Sequence, residues 1–398
     1  MFQRKFQWAV FALALAGAVG AGNSPVRADD DNNGGGDDDR RIKTVFVIAM
    51  ENHNWTQPAG QTNPLQIFHN PAAPFINSLV NGTSGISSQV AFANGYVNAG
   101  AGVHPSEPNY LWAEAGTNFN VFNDDDPYKK DCTPDTVQNT NQHLSAFLTV
   151  ARKQWKSYQE DTDVDATNTP LPANQWTVPL FSASGNWTAP GINEYNYTTQ
   201  FNYAAKHNPM VFFVDTNGGC NATSSNPLRT HYAPLQQLAL DLANNDVADY
   251  NWITPNQFND QHTTLANGYG AFPNNSALPA NLADSARIAQ GDNFLARVVP
   301  LIMSSRAYQD HGLIVLWWDE SEGGDDPGRT LPFIIISKDA RRNVNGVPYS
   351  NTISYSHSSF LRTMQIIFKV DPRHGFNFLG GAAGANDLSD LFAQGVIQ

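Results

Sequence analysis

The sequence predicts an α/β protein: a doubly wound, mostly parallel sheet with helices on both faces and loop insertions. Three observations carry that expectation. Residues 44–50 and 313–318 are unbroken apolar, β-rich runs, as strands buried on both faces require. Such runs alternate along the chain with segments of helical periodicity, the order that a parallel sheet with crossover helices needs. Both runs stop abruptly in oxygen ligands, Glu51-Asn52 after the first and Asp319-Glu320 after the second. Ligands of such sheets gather at the carboxyl ends of the strands.

Taken in order, residues 41–50 are the first strand, 75–80 a short helix and 89–92 a second strand. Residues 94–104, rich in Gly and Ala, read as a loop. A helix follows with Ser106 as its N-cap and Pro108 in its first turn. Leu144, Phe147, Leu148 and Ala151 follow helical spacing, predicting a helix over 143–153 with a short strand at 155–158 after it. Residues 161–198, interrupted by four prolines, read as an irregular cap. A buried strand is expected at 210–214, a helix at 234–244 and a strand at 250–253. Ile288, Phe294, Leu295, Val298, Val299 and Ile302 mark one face of a long helix that starts near Asp284. Strands at 313–318 and 332–337 and a helix opening at His357 complete the chain, which shows no internal repeat.

The 398 residues are enough for one large domain; only 15% are charged, and a formal net charge of -13 argues against a nucleic-acid partner. Arg4 and Lys5 precede an apolar stretch to about Val19, and Val26-Arg27-Ala28 offers small residues for cleavage. Residues 1–28 therefore read as a secretory signal peptide, 29–40 as an acidic, Gly-rich disordered leader and 41–398 as one catalytic domain. The expected address is secreted or periplasmic, with no stable membrane insertion after cleavage. Cys132 and Cys220 lack metal-ligand spacing, and their pairing is left open by the sequence.

Five polar clusters fall at strand ends or helix starts: Glu51-Asn52, Ser106, Asp260 with His262, Asp319-Glu320, and His357. Carboxylates, an amide oxygen and imidazoles suit a divalent cation, the oxygen-rich part Mg²⁺, Ca²⁺ or Mn²⁺ and the histidines Zn²⁺. A serine at a helix N-terminus is placed to attack phosphorus, because free backbone N–H groups and the helix dipole favour an anionic substrate. Singly, each has a plain structural account: a helix cap, a solvated loop carboxylate, a hydrogen-bonded histidine. Their shared position at element ends favours a joint site.

Several of these residues sit in motifs. Glu51-Asn52-His53-Asn54-Trp55, the stretch from His104 through Ser106 to Tyr110, Trp155-Lys156-Ser157-Tyr158, Lys206-His207-Asn208-Pro209, Asp260-Gln261-His262, Trp318-Asp319-Glu320 and Tyr355-Ser356-His357-Ser358 occur in this order. The set resembles the bacterial and fungal phosphoesterase family of acid phosphatases and non-specific phospholipases C, within the alkaline phosphatase superfamily. The resemblance implies that Glu51 and Asn52 hold a metal and that Ser106 is both nucleophile and ligand. Asp319 and Glu320 would complete that shell, while Asp260, His262 and His357 would bind a second metal or phosphate. His104 and His207 would contact phosphate or move protons; His53 is a weaker candidate that could face solvent. The implied cofactor is one or two divalent ions; the expected substrate is a small phosphate monoester, with phospholipase C-type hydrolysis of a phospholipid headgroup diester as the alternative. Alkaline phosphatases proper carry His in place of Glu320 and Asp in place of Glu51-Asn52, so two zinc ions are not assumed. The segment after Ser106 also lacks the cysteine and arginine of sulfatases. A non-catalytic exported protein using the pocket for an anion or glycan is the rival reading.

Overall fold

The computed structural model describes residues 41–61, 64–182, 191–272, 280–343 and 347–397. The expected signal peptide and leader lie outside them. In chain order the elements are β1 (Thr44–Met50), α1 (Pro74–Val80), β2 (Val90–Ala93), β3 (Tyr96–Val97), α2 (Ser106–Ala115), α3 (Leu144–Val150) and β4 (Trp155–Gln159). They continue with α4 (Val214–Asn217), β5 (Tyr232–Pro234), α5 (Gln237–Asn244), β6 (Tyr250–Thr254), α6 (Ala280–Met303) and α7 (Arg306–Gln309). The last are β7 (Gly312–Trp318), β8 (Phe333–Ser337), β9 (Tyr349–Asn351), β10 (Tyr355–Ser356) and α8 (His357–Ile367).

Eight strands form one sheet in the order β5-β4-β6-β1-β7-β8-β2-β9, while β10 and β3 pair separately. β1 lies at the centre, parallel to β6 on one side and β7 on the other. Only β8 runs against its neighbours. Every residue of β7 is buried, and all of β1 after Thr44. Central strands closed on both faces explain why these runs are apolar without alternation. The helices pack in two groups, α1 with α6 and α2 with α8. α6 buries Ile288, Phe294, Leu295, Val298, Val299 and Ile302, and α8 buries Phe360, Leu361, Met364 and Ile367. Each such side chain contributes about 1.5–3 kcal/mol relative to exposure. β1, β6 and β7 all point the same way, so their carboxyl ends, and the loops after them, meet at one edge of the sheet.

Three expectations change. Residues 210–214 do not form a strand: Pro209–Phe212 is a 3₁₀ turn leading into α4. Its only sheet-like contact is an isolated bridge between Gln138 and Phe213. The run is apolar because the turn is wholly buried, and a short apolar run does not distinguish strand from buried helix. Ser106 is the first helical residue of α2, with Pro105 before it, and makes no side-chain cap. Its hydroxyl is therefore free of the backbone and turned elsewhere. The loop expected at 94–104 also holds β3, too short to show any period. In the 161–198 insertion the described residues contain one 3₁₀ turn and no strand or α-helix, as an irregular cap requires.

Candidate active site

Glu51 and Asn52 leave the end of β1, Asp319 and Glu320 leave the end of β7, and Ser106 opens α2. The Ser106 hydroxyl donates to Glu51 Oε2 at 3.0 Å and lies 3.5 Å from Glu320 Oε1. Asn52 takes a left-handed backbone, φ 38°, and its N–H donates to Asp319 Oδ1 at 3.1 Å. Asparagine is among the few residues that accept this conformation readily. The turn brings its side-chain amide 3.0 Å from Glu51 Oε2 and 3.1 and 3.2 Å from the two Asp319 oxygens. An amide oxygen in that place meets only acceptors; a cation between the groups removes the conflict, and otherwise the amide nitrogen must face inward. Tyr110, one turn beyond Ser106, donates to Glu51 Oε1 at 2.6 Å.

Asp260 joins this group from the loop after β6, where its main-chain carbonyl accepts from Glu51 N–H at 2.8 Å. The His207 ring lies between Glu51 Oε1, 3.1 Å from Nε2, and Asp260 Oδ2, 3.2 Å from Nδ1, and stacks on Tyr110. Neither approach has hydrogen-bond geometry, so both ring nitrogens and Asp260 Oδ2 are buried without a hydrogen-bond partner. Burial, reinforced by Asp319 and Asp260, pushes Glu51 well above the carboxylate range. Asp319 rises through burial and Glu320, and Asp260 chiefly through burial. Burial and the nearby Lys206 and His262 hold His207 well below the usual histidine range. Crowded carboxylates that resist ionisation, beside a neutral imidazole with unused nitrogens, form a donor set that fits a divalent cation.

The other histidines divide into distinct roles. His104 is half-buried between Glu320 and Asp325. The hydrogen bond it donates to Glu320 raises it to about 9 despite burial, so it is an imidazolium near neutrality. His262, whose main-chain N–H donates to Asp260 Oδ1 at 2.8 Å, is held down to about 3 by burial and by Lys206. Its ring lies 5.9 Å from that of His207. His357 departs from the expected ligand role. Trp317 Nε1 donates to its Nδ1 at 3.2 Å, Tyr96 Oη is 2.9 Å from the same atom, and Nε2 faces the Asp319 carbonyl. Both ring nitrogens are used, and His357 steadies the main chain of Asp319 rather than presenting a lone pair. His53 does not face solvent: it is fully buried, with Nδ1 3.2 Å from the Glu51 carbonyl.

The structure thus gathers Glu51, Asn52, Ser106, His207, Asp260, Asp319 and Glu320, with His104 and His262 at the edge of the group. Comparison with known proteins yields a family model whose match spans all of these residues. The description "Phosphoesterase family" matches residues 33–371. The chain belongs to the phosphoesterase family.

As a phosphoesterase it is a hydrolase of phosphoric esters, and a purely non-catalytic role falls away. Over 326 residues the phosphoesterase is 26% identical to a phosphatidylinositol-3-phosphatase of Mycobacterium tuberculosis, covering 82% of this chain and 78% of that one. An acid phosphatase of Aspergillus fumigatus is 30% identical over 40% of this chain and 28% of its own length. The chain thus spans well under half of that fungal relative. Among solved structures, a protein in the alkaline phosphatase superfamily from Vibrio parahaemolyticus aligns with TM-score 0.41 and 10% identity, over 82% of this chain and 66% of that one. Among the described residues no helix is long and apolar enough to cross a membrane.

Sequence reasoning placed Tyr110, Lys206 and Glu107 in motifs but gave them no role. Tyr110 had a usable signal, since residues four apart share a helix face and Ser106 was already a candidate. Lys206 reaches Asp124 Oδ2 at 2.8 Å, and the Glu107 N–H donates to Asp124 Oδ1 at 3.0 Å. No local pattern links those three residues.

Proposed function

We propose that this phosphoesterase is an exported, metal-dependent phosphomonoesterase that uses Ser106 as its nucleophile. One observation carries the reading: a serine hydroxyl at the head of a buried helix sits within 3.5 Å of carboxylates from two different strand ends, Glu51 and Glu320. Glu51, Asn52, Asp319, Glu320 and the Ser106 hydroxyl would hold a divalent ion, with Asp260 and His207 available for a second; zinc, magnesium, calcium and manganese all remain chemically suitable. Such an ion supplies charge neutralisation at the phosphoryl oxygens and lowers the pKa of a bound hydroxyl.

The chain's own residues do the rest. Ser106 Oγ attacks phosphorus in line as its proton passes to Glu51, which already accepts the hydroxyl's hydrogen bond, and the positive end of the α2 dipole favours the phosphoryl charge. Glu51 and Tyr110 fix the hydroxyl's direction. His104, kept protonated by Glu320, gives up its Nε2 contact with Asp325 to donate that proton to the leaving oxygen, and neutral His262 takes a proton from the water that hydrolyses the phosphoserine. Residues 1–28 are read as a signal peptide and 29–40 as a leader, with one catalytic domain from 41 to 398. The disulfide Cys132–Cys220 supports an oxidising destination. The Mycobacterium relative, named for a phosphatase acting on a phosphoinositide, makes a lipid-headgroup monoester a fitting substrate beside soluble ones.

The test is hydrolysis of p-nitrophenyl phosphate by wild type and Ser106→Ala, each before and after chelation. Loss of turnover in both treatments supports the reading. Full activity in Ser106→Ala rejects the serine, and strong preference for phosphatidylcholine over the monoester reassigns the protein to phospholipase C-type chemistry.

A further inference from the structure

Beside the proposed site lies a second charged group, made of the buried His53 and Asp284 and the partly exposed Arg287 and Glu322. Asp284, on α6, is its centre. Its Oδ1 accepts from His53 Nε2 at 3.1 Å and from an Arg287 Nη at 3.0 Å, and its Oδ2 accepts from the Leu65 N–H at 2.6 Å. Arg287 also lies 3.7 Å from Glu322 Oε1, and Glu322 Oε2 is 3.9 Å from His53 Nε2. His53 and Asp284 side chains are 0% and 1% exposed.

The ligand atoms of His53, Asp284 and Glu322 lie within 4.8 Å of one another, a spacing that could hold a metal ion. Two features favour an ion-pair group instead. Arg287 already bonds Asp284 and faces Glu322, so a metal ion would be drawn in beside a guanidinium. Both His53 nitrogens are already engaged, by Glu51 O and Asp284 Oδ1.

What the group touches suggests its purpose. His53 donates to the main-chain carbonyl of Glu51 at 3.2 Å, and Arg287 donates to that of His262 at 3.2 Å. Glu322 follows Glu320 by two residues, and its own carbonyl is tied to Asn54 Nδ2 at 3.0 Å. One cluster thereby grips the loops after β1, β6 and β7, each of which carries a residue of the proposed machinery. We infer that Asp284 is a positioning residue, the hub that sets the three catalytic loops in register from helix α6. This rests on the proposed function for the meaning of the loops, though not for the contacts.

The experiment compares full-length wild type, Asp284→Asn and Glu322→Gln. It measures kcat and KM for p-nitrophenyl phosphate, and hydrogen exchange of the metal-free proteins. A lost outer partner of this kind lowers activity by about 10–100-fold. The expected result is a kcat fall of that size in Asp284→Asn with KM changed less than about threefold, a smaller fall in Glu322→Gln, and faster exchange confined to the loops around 51–55, 260–263 and 320–323. Wild-type kcat with unchanged exchange in Asp284→Asn overturns the inference. So does finding that wild type binds one more manganese ion per chain than Asp284→Asn, since the cluster would then be a metal site. If Asp284→Asn unfolds, Glu322→Gln decides by the same two readouts. A wild type inactive on every phosphate ester would sink the proposed function alone, because the exchange pattern still judges the hub.

Discussion

Ser106 and Tyr110, one turn apart on α2, hydrogen-bond the two oxygens of the same carboxylate: Ser106 donates to Glu51 Oε2 at 3.0 Å and Tyr110 to Oε1 at 2.6 Å. The helix thus carries both the proposed nucleophile and a second donor to the same carboxylate. Helical spacing alone keeps the two donors on one side.

Removing each donor separates their roles. Ser106→Ala should lower kcat on p-nitrophenyl phosphate by on the order of 10³-fold or more, as loss of a nucleophile does. Its stability should change by only about 1 kcal/mol, one hydrogen bond. Tyr110→Phe should keep the nucleophile, lose about tenfold in kcat and cost about 1–3 kcal/mol for leaving a buried carboxylate oxygen unpaired. Steady-state kinetics and urea titrations of the two variants check this; the reverse ranking in kcat would reject the assignment.

Cation binding should be visible without turnover. The buried carboxylates Glu51, Asp260 and Asp319 are all pushed upward in pKa, and burial is the leading cause for each. Adding a divalent ion to chelated protein should raise Tm, with about 2.7 kcal/mol of stabilisation at a hundredfold excess over Kd. Asp319→Asn should abolish most of that rise while sparing the fold. A thermal scan of both proteins with and without manganese gives the answer.

Glu107 provides a pH signature. Its carboxyl is fully buried, and burial, with Asp124, Asp125 and Asp126 nearby, raises it to about 9 against the opposing pull of Thr136. For a raised acid the folded state holds the proton longer than the unfolded chain. Its stabilising contribution is therefore complete below about 4.5 and is lost as pH rises to about 9. Glu107→Gln cannot ionise, so its Tm relative to wild type should climb steadily between pH 5 and pH 9. A constant difference across that range would contradict the raised value.

The disulfide Cys132–Cys220 closes a separation of 88 residues and joins the 118–141 region to the end of α4. Cys132→Ser with Cys220→Ser should cost about 2–5 kcal/mol, measured by denaturant titration. A loss below about 1 kcal/mol would mean that the bond adds little to the folded state.

Legibility followed the range of the interactions. β1 and β7 were readable because burial on both faces writes itself as a continuous apolar run. The run at 210–214 misled for the same reason: a buried 3₁₀ turn is as apolar as a buried strand. β3 and β10, of two residues each, are too short to carry a period. Among site residues, Glu51, Asn52, Asp319 and Glu320 were visible as polar stops after strands. His357 had the same signature, but Trp317 and Tyr96 claim its ring, and no spacing rule foretells that.

The linear chain by itself determined the layered α/β architecture, the family and the polar residues that end the central strands, because these depend on local periodicity and on short ordered motifs. Only the folded chain decided which polar atoms lack partners, which histidine is neutral or charged, and how Asp284 ties three loops together. Those properties depend on burial and on distances of 3–4 Å between residues more than two hundred positions apart, such as His53 and Asp284. Electrostatic energies vary steeply over such distances, and nothing in the order of residues records them.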